Sequence, residues 1–133
     1  MKTSVGILGV TGYSGQELLK ILKGHPMVSV EYLASQRLKT PCRLKALLPL
    51  APEPLGRLRI TPFQAKEATE RCDILFSALP HGLAMKLAPL FLRNRTAKFI
   101  DLSGDFRLKS TKTYHEAYGG RHSNLLWLRE AVY

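Results

Sequence analysis

Apolar residues along this chain fall into short blocks whose period switches between two and three to four. Residues 4–10, SVGILGV, form an apolar run rich in β-branched side chains, which predicts a buried strand. From Ser14 the spacing lengthens. Leu18, Ile21 and Leu22 stand at i, i+3 and i+4, with Leu19 beside them, and predict a helix with these residues on its apolar face. Gly24 and Pro26 close it. Residues 28–34, VSVEYLA, alternate and predict a second strand. Strand, crossover helix and strand make a βαβ unit, so the two strands should run parallel.

The next block has a different texture. Residues 38–56 carry four prolines (Pro41, Pro49, Pro52, Pro54) and predict irregular chain, with a short helix around residues 44–48. Residues 57–61 predict a strand and 64–71 a short helix. Residues 73–79, DILFSAL, have the continuous apolar character of a parallel-sheet interior. After a turn at Pro80, His81 and Gly82, the spacing of Leu83, Leu87, Leu90 and Phe91 predicts an amphipathic helix. Residues 98–102, KFIDL, predict another buried strand. A loop follows at SGDFRL, then short helices over 111–118 and 125–131. Such alternation of strand and helix predicts a doubly wound α/β fold.

The first strand-to-helix junction reads GVTGYSG, with glycines at 9, 12 and 15. Each flexible residue costs folding entropy, so each needs a geometric reason. Gly9 would let the chain turn off the strand, Gly12 would let backbone approach a phosphate, and Gly15 would let the helix pack closely on the sheet. Inside a βαβ unit this pattern predicts a Rossmann-type dinucleotide-binding domain spanning residues 1–133, with a pyrophosphate at the helix N-terminus. The spacing is GxxGxxG rather than GxGxxG, so the loop is a variant of the usual fingerprint.

The end of the second strand discriminates between cofactors. An NAD site usually carries Asp or Glu there to hold the ribose 2′-hydroxyl. This chain has Ala34-Ser35-Gln36-Arg37, with Lys39 close by and no carboxylate. A serine hydroxyl and a guanidinium suit a 2′-phosphate, which predicts NADP.

Composition narrows the classes. A length of 133 residues and 45% hydrophobic content fit one globular domain with its own core. The apolar runs are too short to span a bilayer, and the N-terminus lacks a signal peptide's apolar stretch, so the expected address is cytoplasmic. Cys42 and Cys72 are expected as reduced structural thiols, and the four histidines and two cysteines have no metal-ligand spacing. The net charge of +10 attracts polyanions, and residues 37–59 hold six basic side chains against Glu53 alone. That stretch reads either as a solvated loop or as a phosphate-binding edge. No nucleic-acid-binding motif accompanies it.

Two further stretches fall at the carboxyl ends of predicted strands, where ligands bind in this fold class. Ala78-Leu79-Pro80-His81-Gly82 follows one core strand, and Asp101-Leu102-Ser103-Gly104-Asp105-Phe106-Arg107 follows the last. His81 reads as either a structural or a ligand-side residue. Arg107 reads as either a bidentate anion clamp or the partner of Asp101 or Asp105.

Taken in order, GVTGYSGQELLKIL, ASQR, SALPHG, IDLSGDFRL, Tyr114-His115-Glu116-Ala117-Tyr118-Gly119 and Glu130-Ala131-Val132-Tyr133 resemble the amino-terminal part of the N-acetyl-γ-glutamyl-phosphate reductase family. The likeness runs from residue 4 to the last residue and is weakest over 40–70. A relative acting on carrier-bound aminoadipyl phosphate shares these motifs, and aspartate-semialdehyde dehydrogenase is a more distant cousin. The resemblance implies NADPH-dependent reduction of an acyl phosphate to an aldehyde in arginine biosynthesis. In that family a cysteine thiolate captures the acyl group as a thioester before hydride arrives. The family's Asn-Pro-Gly-Cys-Tyr-Pro motif lies downstream of the match, and neither Cys42 nor Cys72 corresponds to it. The resemblance therefore implies an inactive cofactor-binding part with no catalytic residue of its own, and homo-oligomer contacts only in a full-length protein. Matched by motif, Gly9, Thr11, Gly12, Tyr13, Ser14 and Gly15 would form the phosphate loop. Ser35 and Arg37 would meet the 2′-phosphate, Pro80, His81 and Gly82 would line the nicotinamide side, and Ser103 and Arg107 would face the substrate. A stand-alone NADP-binding or sensing module is the alternative from another class.

Overall fold

The computed structural model describes residues 1–92 and 97–133. Six strands form one sheet: β1 (Thr3–Leu8), β2 (Val28–Ser35), β3 (Cys42–Arg43), β4 (Arg59–Pro62), β5 (Ile74–Ser77) and β6 (Lys98–Asp101). Their spatial order is β3-β4-β2-β1-β5-β6. All neighbours pair in parallel except β3, which runs antiparallel to β4 at one edge. The helices are α1 (Tyr13–Lys23), α2 (Leu44–Leu47), α3 (Ala65–Arg71), α4 (Ala84–Leu92), α5 (Thr111–Tyr118) and α6 (Leu125–Glu130). The doubly wound Rossmann-type expectation holds, with a short antiparallel strand added to the parallel sheet.

Strand alternation sends side chains into two cores, one on each face of the sheet. Val5 and Ile7 of β1 and Leu33 of β2 pack with Leu19 and Leu22 of α1 and with Leu44 and Ile60. On the other face, Leu8, Tyr32, Ala34 and Leu75 pack with Ala68, Cys72 and Phe91. Strands buried on both faces explain the unbroken apolar runs.

Several local expectations need correcting. The first strand ends at Leu8, and Gly9 already turns. In α1 the buried residues are Gly15, Leu19 and Leu22, whereas Ile21 is 65% exposed. In α4 they are Ala84, Met85, Ala88 and Phe91, and Leu90 points outward. Two alanines, Met85 and Phe91 make that helix's buried side, and Leu87 and Leu92 pack at its edge. β6 is not a buried interior strand. It lies at the sheet edge with Lys98 and Ile100 exposed. The strand expected at 57–61 is shifted to β4, behind a 3-10 turn over Leu55–Arg57.

Candidate functional site

The chain runs from β1 leftward to β2 and β4, then returns to place β5 on the other side of β1. The loops after β1 and β5 therefore diverge above the sheet's carboxyl edge. That divergence is the topological switch point, where open α/β sheets bind ligands.

The glycine loop occupies one side of it. Gly9 has φ +85°, and a Cβ there would stand 2.5 Å from the carbonyl oxygen of Ala78 in the neighbouring loop. Gly9 N–H donates to Ala34 O at 2.9 Å, and Gly12 N–H donates to Gly9 O at 3.1 Å. A Cβ at Gly15 would overlap Gly9 O and lie 2.8 Å from Val10 Cα. Helix and strand touch there backbone to backbone. Gly12 differs: the nearest atom to its added Cβ is Gly9 O at 3.5 Å, so the loop is open where a ligand would approach. Gly12 is also the N-cap of α1, no side chain caps the helix, and its first turn holds no acid. The helix thus offers uncapped N–H groups and its positive dipole end to an anion. Gln16 Nε2 donates to Thr11 O at 3.0 Å and stiffens the turn, while Tyr13 and Ser14 are exposed at its rim.

At the end of β2, Ser35 is buried and its Oγ accepts from Arg37 N–H at 3.3 Å. The serine shapes the turn that presents Arg37 to solvent. Among the described residues Arg37, Lys39, Arg43 and Arg59 make no ion pair, and Arg43 stands opposite Arg59 across β3 and β4. Lys45 and Arg57 are partly neutralised by Glu53, at 3.8 and 2.9 Å.

The other side of the switch point is a polar cluster around Asp105. This carboxylate is fully buried. It accepts from Gly82 N–H (2.8 and 3.0 Å), Met85 N–H (3.1 Å) and Tyr114 O–H (2.9 Å). Burial, and then the hydrogen bond to Asp105, push the Tyr114 hydroxyl up to about 12. Ser103 Oγ donates to Asp101 at 2.6 Å and accepts from Asp105 N–H at 3.1 Å. Burial raises the Asp101 carboxyl, and the hydrogen bonds from Ser103 oppose the rise. Gly104 N–H donates to His81 Nδ1 at 3.0 Å, so that nitrogen is an acceptor. The His81 ring lies 4.6 Å from that of Tyr118, and a Cβ on Gly104 would come within 2.8 Å of His81 Cε1.

Beside β6 opens a cavity of about 630 Å³, lined by Phe99, Asp101, Phe106, Arg107, Trp127 and Tyr133 among others. Arg107 forms no ion pair with Asp101 or Asp105. Its guanidinium lies 5.7 Å from the Tyr133 ring centre, and one N–H reaches Leu102 O at 3.4 Å.

The family model described as "Semialdehyde dehydrogenase, NAD binding domain" matches residues 4–133. The chain belongs to this family. Among curated relatives of this semialdehyde dehydrogenase NAD-binding domain, N-acetyl-γ-glutamyl-phosphate reductases are 41% identical in Magnetococcus marinus and 42% identical in Polynucleobacter asymbioticus. Each match covers 97% of this chain, which spans only 36% of the length of either relative. Among solved structures, an aspartate semialdehyde dehydrogenase with NADP from Candida albicans superposes with a TM-score of 0.71 at 16% identity. That match covers 93% of this chain and 41% of the other, and shares the fold. A second such enzyme, from Vibrio cholerae, gives 0.56 at 18% identity over 80% of this chain and 32% of the other.

The chain gathers Gly9, Thr11, Gly12, Tyr13, Ser14, Gly15, Pro80, His81 and Gly82 at the switch point. Ser35 and Arg37 stand at the end of the adjacent strand β2. Arg107 faces the cavity, but Ser103 is buried and its hydroxyl is engaged at both ends. Motif reading missed Asp105 as an organising group. Its one signal was a carboxylate directly after a glycine at the ligand edge. No thiol joins the site: Cys72 is buried, and burial raises it to about 12. No described helix is long and apolar enough to cross a membrane.

Proposed function

We propose that this chain binds NADP and serves as the cofactor-binding part of an N-acetyl-γ-glutamyl-phosphate reductase. The observation that carries the reading is the form of the glycine loop: closed by packing at Gly9 and Gly15, open at Gly12, and uncapped at the mouth of α1. A dinucleotide's pyrophosphate fits that opening, since it needs N–H donors and no nearby side chain. Arg37 is exposed and unpaired, as the partner of a 2′-phosphate must be, and β2 ends without the carboxylate that would select NAD. Bound there, NADPH supplies a hydride.

The chain's own residues orient it. His81 and Gly82 flank its nicotinamide end. Arg107, at the edge of the cavity beside β6, holds an anionic group of the acyl-phosphate substrate by paired N–H donors. The names of the relatives at 41% and 42% identity support this substrate class. A carrier-bound acyl phosphate would use the same arginine. Capture of the acyl group needs a thiolate near Arg107; Cys72 is a buried thiol raised to about 12, and Cys42 stands on β3 at the opposite edge of the sheet. These residues by themselves therefore bind cofactor without reducing substrate.

Calorimetric titration tests the reading. NADPH should bind, NADH should bind at least tenfold more weakly, and Arg37→Ala should remove the difference. A folded chain that takes neither nucleotide would reject the cofactor assignment. Measurable reductase turnover by these 133 residues would reject the division of labour.

A further inference from the structure

The buried carboxylate of Asp105 ties together three pieces of chain that meet only at the ligand edge. It sits in the loop after β6. It accepts from Gly82 N–H in the loop after β5, from Met85 N–H in the first turn of α4, and from the hydroxyl of Tyr114 on α5. The first turn of α4 is therefore held by a side chain twenty residues further along the chain. The same loop fixes His81 through Gly104 N–H, and the Ser103 hydroxyl braces Asp105 N–H against Asp101. None of these contacts reaches the glycine loop. Its own bonds run to Ala34, and within itself through Thr11 and Gln16. Apart from the bond from Ala78 N–H to Leu8 O (2.8 Å) at the base of both loops and the packing of Gly9 against the Ala78 carbonyl, the two sides of the switch point are held by separate sets of hydrogen bonds.

We infer that Asp105 is a positioning residue for the nicotinamide half of the cofactor site: it holds the His81–Gly82 turn and the start of α4 in place, while the adenylate half is held independently by the glycine loop and Arg37. This rests on the NADP-binding reading. It adds that the site is divided, with an acidic group that touches no ligand setting one half alone. A carboxyl group suits the task because all its hydrogen-bond partners are donors and its two oxygens accept from all three. A buried network whose members are all satisfied holds one arrangement.

The test compares NADPH with adenosine 2′,5′-bisphosphate, which carries only the adenylate half. Both are titrated into the wild-type chain and into Asp105→Asn, with circular dichroism to show that the variant is folded. The expected result is a tenfold or greater loss of NADPH affinity with bisphosphate affinity unchanged within twofold. Should Asp105→Asn not fold, Ser103→Ala removes the brace on Asp105 N–H and should give the same selective loss at about threefold. Equal losses on both ligands, or no loss on NADPH in a folded variant, would overturn the inference. So would a wild-type chain that binds the two ligands equally well, which would leave the cofactor reading standing. If the wild-type chain binds neither ligand, it is the NADP reading that fails, and this inference with it.

Discussion

The two sides of the switch point are built by opposite means. On the β2 side, the glycine loop is shaped by missing side chains: Gly9 and Gly15 leave room for backbone to meet backbone, and Gly12 leaves room for a ligand. On the β6 side, the loop is shaped by side chains, with Asp101, Ser103, Asp105 and Tyr114 linked in one hydrogen-bonded set. A site built on absent atoms tolerates almost no addition. One built on polar bonds fails first by the loss of a partner, although Gly104 within it also leaves no room for a Cβ beside Tyr118 and His81. The two sides should therefore fail differently under mutation.

The largest effect should follow from adding one carbon to the first side. Gly15→Ala would drive a Cβ into Gly9 O and Val10 Cα, and overpacking of this kind should cost about 3 kcal/mol, read as a lowered urea midpoint with cofactor binding lost. Next comes Arg37→Ala. It should leave the fold intact and weaken NADPH by about 2 kcal/mol, roughly thirtyfold, with NADH unaffected in calorimetry. Loss of binding to both nucleotides would place Arg37 elsewhere in the site.

On the polar side, Tyr114→Phe deletes a donor to the buried Asp105 carboxylate. Its cost should be about 1 to 2 kcal/mol in urea denaturation. The same tyrosine gives a pH signature. Its hydroxyl is raised from 10.0 to about 12, so the folded state favours the protonated form. The stability this brings is complete below pH 10 and is lost as pH rises towards 12. Between those values, the stability of the Tyr114→Phe variant should fall less steeply than that of the wild type. Smaller still is the chemistry of the thiols. Cys72, raised to about 12, should resist iodoacetamide at pH 8 until the chain unfolds, whereas half-buried Cys42 should react first. The smallest effect belongs to a control outside both regions. Glu17→Ala removes a solvent-exposed pair with Lys20 and should change stability by less than about 0.5 kcal/mol.

The same contrast explains what could be read from residues alone. The glycine loop was legible because its determinants are local: a strand-like run, three glycines at fixed spacing, and a helix-like run. The 78–82 turn and the loop after β6 were legible as positions, since both follow apolar strands. Their internal wiring was not. Asp105 in SGDF looks like any surface acid, and only the tertiary fold reveals that Gly82, Met85 and Tyr114 converge on it. Helix faces were misread for a related reason. Ile21 and Leu90 fit an apolar stripe, but the buried arc is narrower, filled in α4 by Ala84, Met85, Ala88 and Phe91. The two-residue strand β3 had no periodicity to display. Its two residue pairings with β4 are set by long-range contact.

The contact between Gly15 and Gly9 has a consequence for recognition. The carbonyl that blocks a side chain at Gly15 belongs to the residue that also accepts the hydrogen bond from Gly12. The backbone that would face a dinucleotide is thus part of the joint that seats α1 on the sheet. Its conformational freedom is surrendered when the domain folds, not when a dinucleotide arrives. Preorganisation of this kind strengthens association without adding a contact. It also means that the loop cannot be loosened to admit a different ligand without unseating the helix behind it.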